Sequence, residues 1–275
     1  MSVHLVLIDA LNLIRRIYAV QERPFLLYKG NSNDLSQSTK DQILYNTLNA
    51  CSAALAKIVT QLSPTHALAV FDSQQPCWRY ELYPDYKKGR NKMPEHLAEK
   101  LNALQDEFMT LSIDSIDPDE DEADDIIATL AVKVALRGQK VTIISTDKGF
   151  LPLISPNIHV YDHFNRRYLD EAYVKNKFNV KANQLIEFWM LTGDTTNKIP
   201  GIPGIGQVTA AELFNKYESL TAIIAAEDIK VKVKEKLKAG KEQFQLTRKL
   251  LTLKQNIPLG FNLKDIRLEQ AIATD

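Results

Sequence analysis

Three short apolar segments, each ending in an aspartate, most strongly constrain the fold of this 275-residue chain. The segments are VHLVLI before Asp9, HALAVF before Asp72 and KVTIIST before Asp147. Their runs of β-branched residues and leucine are typical of strands buried on both faces. Because helical segments separate them, the order predicts an α/β fold with a mainly parallel sheet. Ligands bind such sheets at the carboxyl ends of the strands, so we expect the three aspartates to meet at one edge.

A fourth acidic site lies in the segment PDEDEADDIIATL, from Pro118 to Leu130. Residues 114–125 hold eight acids and no base. Acids at a helix start are often explained by capping and the helix dipole, and we assign that role to Asp119, Glu120 and Asp121. Several carboxylates this close repel one another unless a cation gathers them. Because Mg²⁺ prefers oxygen ligands, the segment predicts a magnesium site.

The charges of the chain are balanced in number but separated along the sequence. The 34 basic and 34 acidic side chains give a formal net charge of zero. Basic residues concentrate in KKGRNK at 87–92, and ten Lys and Arg outnumber five acids in 216–254. This separation predicts metal at one surface and a phosphate backbone at another.

Composition predicts a soluble protein of the reducing cytoplasm. The chain is 45% hydrophobic and 25% charged, as in globular proteins. No run of 18 apolar residues occurs, so no membrane span is expected. The two cysteines, Cys51 and Cys77, are too few for a disulfide framework and fit no metal-ligand spacing.

Two polar segments are expected at the surface. Residues 21–42 carry Pro, Gly, Asn and Ser and are predicted to form a long loop. Residues 78–92 alternate aromatic and basic side chains, which can stack on bases and hold phosphates. The alternative for this second segment is a solvated connection without function.

The chain becomes mainly helical after about residue 165, and one motif stands out there. It reads IPGIPGIG over 199–206, and an amphipathic helix follows from about Gln207. Glycines and a helix N-terminus expose backbone N–H groups, which predicts a helix-hairpin-helix that grips phosphates without reading sequence. A plain Gly/Pro loop is the alternative. Residues 255–275 are expected to be a loosely held tail.

Together these motifs resemble the flap endonuclease and 5′-3′ exonuclease family. The resemblance covers residues 3–255 through IDALNLIRR, AVFD, WRYELYPDYKKGR, EADDIIATLA, STDKG and LTGDTTNKIPGIPGIG. It implies a PIN-like nuclease domain over 1–165, with a mainly parallel twisted sheet and an arch near 76–100. It also implies a helical DNA-binding domain with a helix-hairpin-helix (H3TH) motif over 166–260, and a tail at 261–275.

The resemblance implies a Mg²⁺-dependent phosphodiesterase that cuts 5′ flap DNA. The metal ligands that it implies are Asp9, Asp72, Glu122, Asp124, Asp125, Asp147 and Asp194. The family's second metal site usually adds two more carboxylates, and Gly149 and Asn197 stand in their places. We therefore expect one firm Mg²⁺ site and a second that is weak or indirect.

The resemblance also implies roles in catalysis and DNA binding. Lys87 and Arg90 match arch residues that contact the scissile phosphate, and with Asp124 they form the catalytic set. The DNA-binding positions are Arg79, Tyr86, Lys87, Arg90, Gly204, Ile205, Gly206, Gln207, Val208 and Thr209. A K⁺ ion at the hairpin would be held by the backbone carbonyls of Leu191, Thr192, Pro200, Ile202 and Ile205.

The expected partner is 5′-flap or branched DNA, bound by a monomer without a membrane. One alternative is a protein that binds flaps or junctions with little or no nuclease activity. Another is a metal-dependent ribonuclease of the PIN type, which keeps the acidic edge but gives IPGIPGIG no role.

Overall fold

The computed structural model describes residues 2–29, 34–73, 75–118 and 120–268 of the chain. Its strands form one six-stranded sheet. They are β1 (His4–Asp9), β2 (His66–Val70), β3 (Asp114–Ile116), β4 (Lys140–Ile144), β5 (Ile158–Asp162) and β6 (Arg167–Tyr168). The order across the sheet is β3-β2-β1-β4-β5-β6, and only the β5–β6 pair is antiparallel. The predicted α/β class with a mainly parallel sheet is confirmed.

Helices flank the sheet, and the regular elements after β6 are all helices in the described part of the chain. In the first half they are α1 (Ala10–Lys29), α2 (Gln37–Leu62), α3 (Trp78–Leu82), α4 (Glu95–Ala98), α5 (Leu101–Thr110) and α6 (Ala123–Ala135). In the second half they are α7 (Glu171–Phe178), α8 (Leu185–Thr192), α9 (Gln207–Lys216), α10 (Leu220–Ala225), α11 (Val231–Ala239) and α12 (Lys241–Leu251). Short 3₁₀ helices occupy Lys148–Leu153, Ala182–Gln184 and Leu263–Ile266. Among the described residues, no helix is long and apolar enough to cross a membrane.

Both faces of the sheet are buried, as the apolar strands predict. Along β1, Leu5 and Leu7 pack in the core that contains α6. Val6 and Ile8 point the other way, into the core that contains α1, α2 and α5. Alternate residues of a strand face opposite sides, so a strand covered twice needs apolar residues at every position.

The core on the α6 side continues into the helical half of the protein. Phe188 and Leu191 of α8 belong to the same cluster of buried side chains as Leu7 of β1 and Ile127 of α6. The hairpin residue Ile202 joins it as well. The sheet and the helical segments are therefore held together by continuous apolar packing.

The predicted loop over 21–42 is wrong at both ends. Helix α1 continues to Lys29, and α2 begins at Gln37 with Ser36 as its N-cap. Polar residues can continue a helix when other contacts hold it. Within α1 the Tyr18 hydroxyl donates to the buried Glu22 carboxylate at 2.7 Å, and it also lies 2.6 Å from Nε2 of His96 in α4. Residues 30–33 lie outside the described part of the chain.

The expected loosely held tail is also wrong up to residue 268. Ile257 and Ile266 are buried in the α6-side core. The Leu268 N–H donates to the Thr65 carbonyl at 3.1 Å, beside the start of β2. Residues 269–275 lie outside the described part of the chain. Strands β5 and β6, which the sequence did not predict, extend the other side of the sheet.

Candidate metal centre and nucleic-acid interface

A cavity of about 310 Å³ opens at the carboxyl edge of the sheet. We call it the carboxylate cavity. Its charged lining residues are Asp9, Arg15, Arg16, Asp72, Lys87, Arg90, Asp124 and Asp147. Asp9 ends β1, Asp72 and Asp147 closely follow β2 and β4, and Asp124 lies in the first turn of α6. The parallel strands thus bring together four acids that are far apart in the sequence.

Ser145 joins two of these acids and was not identified from the sequence. Its hydroxyl donates to Asp9 Oδ2 at 2.7 Å, and the Ser145 hydroxyl oxygen accepts the Asp147 N–H at 3.0 Å. Asp147 Oδ1 in turn accepts the Gly149 N–H at 2.7 Å. These bonds fix Asp9 and Asp147 beside each other in the turn after β4.

Asp9, Asp72 and Asp124 of the carboxylate cavity have raised pKa values. Burial, together with the nearby Asp72 and Asp147, raises the pKa of Asp9 to about 7. Burial and the charges of Asp147 and Asp9 raise the pKa of Asp124 well above its ordinary value. Desolvation also raises the pKa of Asp72, although part of this residue is open to solvent. Raised values are expected where carboxylates crowd together without enough positive charge.

Three of the cations around the carboxylate cavity have few protein partners. The Arg15 guanidinium donates to the Asn91 carbonyl at 2.8 Å, which ties α1 to the segment after Arg90. Arg90 is exposed, and its side chain makes no hydrogen bond or ion pair with any described residue. Lys87 pairs with Glu122, and although burial lowers the pKa of Lys87, this carboxylate raises it overall. The cavity therefore has cations that can meet a phosphate.

The backbone of Lys87 is fixed in an unusual way. Its φ is 53°, a left-handed conformation that is uncommon outside glycine. Its N–H donates to the Asn197 carbonyl at 2.9 Å. The predicted arch is thereby connected to the loop that leads into the hairpin.

Glu122 and Asp125 do not face the carboxylate cavity, because both bind Arg79. The guanidinium of Arg79 donates to Asp125 at 2.7 and 2.8 Å, and it also pairs with Glu122. Its remaining donors reach the carbonyls of Leu250 and Thr252 at 3.0 and 3.1 Å. We call Arg79, Glu122 and Asp125 the Arg79 cluster.

The geometry of the Arg79 cluster argues against three predicted roles. Arg79 is only 1% exposed, so it has no surface to offer DNA. Asp125 is fully buried and also accepts from the Trp78 indole at 2.9 Å, which leaves it no face for a metal. Glu122 accepts from Arg79, Lys87 and the Tyr86 hydroxyl instead of pointing at the four cavity acids.

Tyr86 is likewise unavailable for the predicted stacking on a base. Its side chain is 4% exposed, and its ring packs edge-on against Tyr80 with centroids 5.5 Å apart. Burial raises its pKa, which keeps the hydroxyl protonated as a donor to Glu122. Tyr80, another aromatic residue of the 78–92 segment, has the more exposed ring.

Asp194 is paired with protein groups in place of the predicted metal. Its Oδ1 accepts from the Lys148 ammonium at 2.6 Å and from the Thr196 N–H at 3.0 Å. Its Oδ2 accepts from the Asn197 amide at 2.8 Å. The side chain is 5% exposed and does not line the carboxylate cavity. The ammonium of Lys148 thus neutralises this acid internally.

The donor set of the carboxylate cavity fits a hard divalent cation in chemistry and charge. Four carboxylates share it, and the raised pKa values of Asp9, Asp72 and Asp124 indicate that added positive charge would be favourable. In the described part of the chain, no group of three or more Asp, Glu, His and Cys side chains is already arranged to hold an ion. Asp9, Asp72, Asp124 and Asp147 would therefore have to close around one.

The motif IPGIPGIG folds as a compact hairpin between α8 and α9. Gly193 ends α8 with a φ of 76°, and Asp194 and Ile199 then exchange backbone hydrogen bonds of 2.8 and 2.9 Å. A Cβ on Gly201 would stand 2.3 Å from the Gly193 nitrogen, so only glycine fits there. Helix α9 begins after Gly206 without a side-chain cap, which leaves its first N–H groups for a ligand.

The predicted DNA contacts of the hairpin are partly exposed. Gly204, Gly206, Gln207 and Val208 are exposed, Thr209 is half-buried and Ile205 is buried. Of the carbonyls predicted for K⁺, that of Leu191 accepts the Ile202 N–H, that of Ile202 accepts the Ile205 N–H, and that of Pro200 accepts the Gln243 amide. The Lys236 ammonium donates to the Gly204 carbonyl at 2.9 Å, so this turn already attracts a cation.

Sequence comparison identifies the family. A family model described as the 5′-3′ exonuclease N-terminal resolvase-like domain matches residues 4–179. A second, described as the 5′-3′ exonuclease C-terminal SAM fold, matches residues 180–274. This chain belongs to the 5′-3′ exonuclease family. The predicted resemblance is confirmed.

Curated members of the 5′-3′ exonuclease family match nearly the whole chain. Flap endonuclease Xni of Colwellia psychrerythraea is 68% identical over 269 residues, which cover 98% of this chain and 93% of that protein. Flap endonuclease Xni of Photobacterium profundum is 45% identical over 269 residues, with 97% and 98% covered.

Solved structures show the same fold at low identity. A 5′-exonuclease of bacteriophage T5 with bound zinc has a TM-score of 0.70 at 20% identity, covering 90% of this chain and 89% of that one. The T5 D15 flap endonuclease in complex with DNA and metal ions has a TM-score of 0.68 at 21% identity, with 90% and 88% covered. The 5′-3′ exonuclease fold of this chain is therefore shared with proteins that bind metal.

Proposed function

We propose that this protein is a structure-specific flap endonuclease that hydrolyses phosphodiester bonds in 5′ flap DNA. The observation that carries the proposal is the carboxylate cavity, where four acids and several cations line one space of about 310 Å³. The high identity to proteins named flap endonuclease Xni over nearly the full chain supports the substrate.

Mg²⁺ is the proposed cofactor, held by Asp9, Asp72, Asp124 and Asp147. A divalent ion bound there would polarise the phosphodiester and lower the pKa of a bound water. Ser145 holds Asp9 by a hydrogen bond of 2.7 Å, which orients that carboxylate. The pairing of Asp194 with Lys148 supports the expectation that any second site is weak.

The cations at the rim would hold the scissile phosphate. Lys87 lies between Glu122 and the carboxylate cavity, and Arg90 lines the same cavity without a protein partner among the described residues. Arg15 adds a third positive charge from α1. Together they would offset the repulsion between a phosphate and the four acids.

The hairpin would hold the duplex part of the substrate through its backbone. The uncapped start of α9 offers N–H groups at the positive end of a helix dipole. A K⁺ ion at the hairpin carbonyls would bridge the protein to a phosphate oxygen, and Lys236 supports a cation-attracting turn.

We also propose the domain limits 1–165, 166–260 and 261–275, a monomeric state and a cytoplasmic location. The location is supported by two free, buried cysteines.

The test is cleavage of one 5′-flap substrate in Mg²⁺ by wild type and Asp124→Ala. We expect a loss of at least about 100-fold, because changing even an outer partner of a metal ligand costs about 10- to 100-fold. Asp228→Ala is the matched control, since Asp228 pairs with Lys216 on the exposed surface. Cleavage by Asp124→Ala at the wild-type rate would refute the assignment.

A flap-binding protein with little nuclease activity remains the second candidate, because Glu122 and Asp194 are already neutralised by protein cations. The variant Gly149→Asp with Asn197→Asp would restore two carboxylates. A Cβ at position 149 would lie 3.2 Å from Asp147 Oδ1, so the turn has to adjust slightly. If the protein is a weakened nuclease, the double variant should bind Mg²⁺ more tightly, as measured by calorimetry, and should cleave flaps faster. If the protein only binds DNA, neither Mg²⁺ affinity nor turnover should increase, and wild type should bind flaps tightly.

Comparing RNA with flapped DNA tests the ribonuclease alternative. The folded hairpin favours the flap endonuclease over the ribonuclease, because the ribonuclease alternative gives IPGIPGIG no role. Preferred cleavage of single-stranded RNA would favour the PIN-type ribonuclease instead.

A further inference from the structure

A groove lies between α6 and the segment 257–264 that follows the last α-helix. It consists of two adjoining cavities of about 460 Å³ each. Leu259 and Phe261 line both cavities and form their shared apolar wall. Each volume is within the roughly 300–1,000 Å³ of pockets that hold organic groups. We call the two cavities together the tail groove.

One half of the tail groove combines apolar surface with positive charge. Beyond the shared wall it is lined by the apolar Leu130, Val134 and Leu263 and by the cations Lys133, Arg137 and Lys264. The Lys133 ammonium donates to the Ile257 carbonyl at 2.8 Å, which ties α6 to the segment 257–264. None of the three cations forms an ion pair with a described carboxylate. This basic half therefore has positive charge without a negative partner.

The other half of the tail groove is acidic. Asp117, Glu120 and Asp121 line it together with apolar side chains such as Ile126. Of these three acids, only Asp121 forms an ion pair with a described residue, the Lys254 ammonium at 2.6 Å. The charge of the lining thus changes sign along the groove, while the apolar wall continues through both halves.

The change of sign indicates what kind of molecule fits. A nucleic-acid strand or an anionic membrane carries negative charge throughout, so the acidic half would repel it. A polypeptide can place acidic side chains at one end and apolar side chains in the middle. Apolar contacts then supply affinity, and complementary charges fix the direction of the bound chain.

We propose that the tail groove binds an extended segment of a partner protein. Large apolar side chains of that segment pack against Leu259 and Phe261, and its acidic side chains lie beside Arg137 and Lys264. Both cations are exposed, so a partner can reach them from solvent.

The tail groove is separate from the carboxylate cavity. Asp124 lies in the first turn of α6, whereas Arg137 follows the end of that helix. At 1.5 Å per residue the two positions are roughly 20 Å apart along the helix axis. A bound segment would leave the carboxylate cavity open, and the inference does not depend on the proposed function.

The experiment starts from a displayed library of random short peptides, selected on the full-length protein. The enriched peptide is synthesised with a fluorescent label, and a second version has its acids replaced by amides. Binding of both is measured by anisotropy to wild type and to the double variant Arg137→Glu, Lys264→Glu. The control is Lys57→Glu with Lys100→Glu, which makes the same change in charge at exposed residues that do not line the groove.

We expect the enriched peptides to combine acidic and large apolar residues. The double variant should bind the acidic peptide about 10-fold or more weakly, because like charges then face each other. The amide version should lose affinity for wild type and should lose little more on the double variant. The control variant should bind both peptides as wild type does. All variants should bind and cleave flap DNA equally well.

Three results would overturn the proposal. One is enrichment of peptides that lack acids, or of none at all. Another is equal binding of the acidic and amide peptides by wild type, which does not depend on how the variants fold. A third is weaker binding of flap DNA by the groove variant than by the control variant, since this would assign the groove to DNA.

A variant that ends at Leu268 tests the end of this chain as the occupant. We expect it to bind the acidic peptide as wild type does. A gain in affinity of about 10-fold or more would show that residues 269–275 compete for the groove, and the proposal of a separate partner would then be wrong. Loss of flap cleavage by Asp124→Ala is measured separately, so failure of the groove leaves the proposed function untouched.

Discussion

The protein has two sets of carboxylates that differ in how their charge is balanced, and all of their members except the exposed Asp72 are buried or half-buried. In the Arg79 cluster and at Asp194, each acid has a Lys or Arg partner at hydrogen-bond distance. In the carboxylate cavity, no acid has an ion pair of this kind with any described residue. The first set holds α3, α6 and the segment after α12 together. The second set is left with repulsion that an external cation can relieve.

The contrast shows how two residues of one type, adjacent in the sequence, can have different surroundings. Asp124 and Asp125 are adjacent in α6, yet Asp125 binds Arg79 and Asp124 faces Asp9 and Asp147. Successive residues of a helix point about 100° apart, so neighbours in sequence belong to different environments. The following changes test this division.

Breaking the Arg79 cluster should have the largest effect on stability. Arg79→Met leaves Asp125 buried without its cation and removes the donors to Leu250 and Thr252. Removing one partner of a buried ion pair costs about 3–5 kcal/mol. Urea unfolding should show this loss, whereas Arg248→Met, at an exposed pair with Glu187, should change stability by less than about 1 kcal/mol. Equal losses of stability in Arg79→Met and Arg248→Met would show that the buried Arg79 cluster is no more important for stability than an exposed ion pair.

Removing a charge from the carboxylate cavity should act in the opposite direction. In EDTA at pH 8, Asp9→Asn eliminates a carboxylate whose pKa burial and Asp72 raise to about 7. We expect the free energy of unfolding to rise by roughly 2 kcal/mol. In saturating Mg²⁺ the wild type should be more stable than Asp9→Asn, because the variant lacks one metal ligand. A variant less stable than wild type in EDTA would contradict the account of repulsion.

The pH dependence of the metal-free protein should identify the same carboxylate. The pKa of Asp9 rises from 3.8 to about 7 on folding, so its destabilising effect grows as pH rises from about 4 to 7. Burial lowers the pKa of His4 to about 4, which favours folding as pH rises in part of this range. The measured quantity is therefore the difference between wild type and Asp9→Asn, which should widen up to about pH 7. If the difference in free energy of unfolding between wild type and Asp9→Asn does not change with pH, ionisation of Asp9 is not the cause of the pH dependence.

The smallest change is expected at Lys148. Lys148→Met removes the ammonium from Asp194 but leaves the Thr196 N–H and the Asn197 amide as donors. Because the lysine side chain is 25% exposed, we expect a loss of about 1–2 kcal/mol in urea unfolding. A double-mutant cycle with Asp194→Asn isolates the pair. A coupling energy of zero would show that Asp194 does not depend on this cation.

The sequence predicted the sheet edge well, for a physical reason. Strands with Val, Ile and Leu at successive positions are buried on both faces of the sheet, and parallel strands bring their carboxyl ends together. Asp9, Asp72 and Asp147 could therefore be grouped without knowing which strands are neighbours. The hairpin was predicted for a similar reason, since glycines at Gly193 and Gly201 allow a close backbone approach.

The partners of each acid could not be predicted from the sequence. The contacts of Arg79 with Asp125 and with the Leu250 carbonyl span 46 and 171 residues, and no local pattern marks them. The resemblance therefore placed Arg79 on DNA and Asp125 on metal, although each binds the other. The helical continuation from 21 to 29 was missed because part of its support is tertiary, such as the contact of the Tyr18 hydroxyl with His96 Nε2 at 2.6 Å.

The connection between Lys87 and Asn197 has a mechanical consequence. The Lys87 N–H donates to the Asn197 carbonyl at 2.9 Å, and the ammonium of the same residue pairs with Glu122. Lys87 is thus held at its backbone by the loop before the hairpin and at its side chain by the residue that precedes α6. A displacement of that loop would therefore reach the edge of the carboxylate cavity through one peptide hydrogen bond.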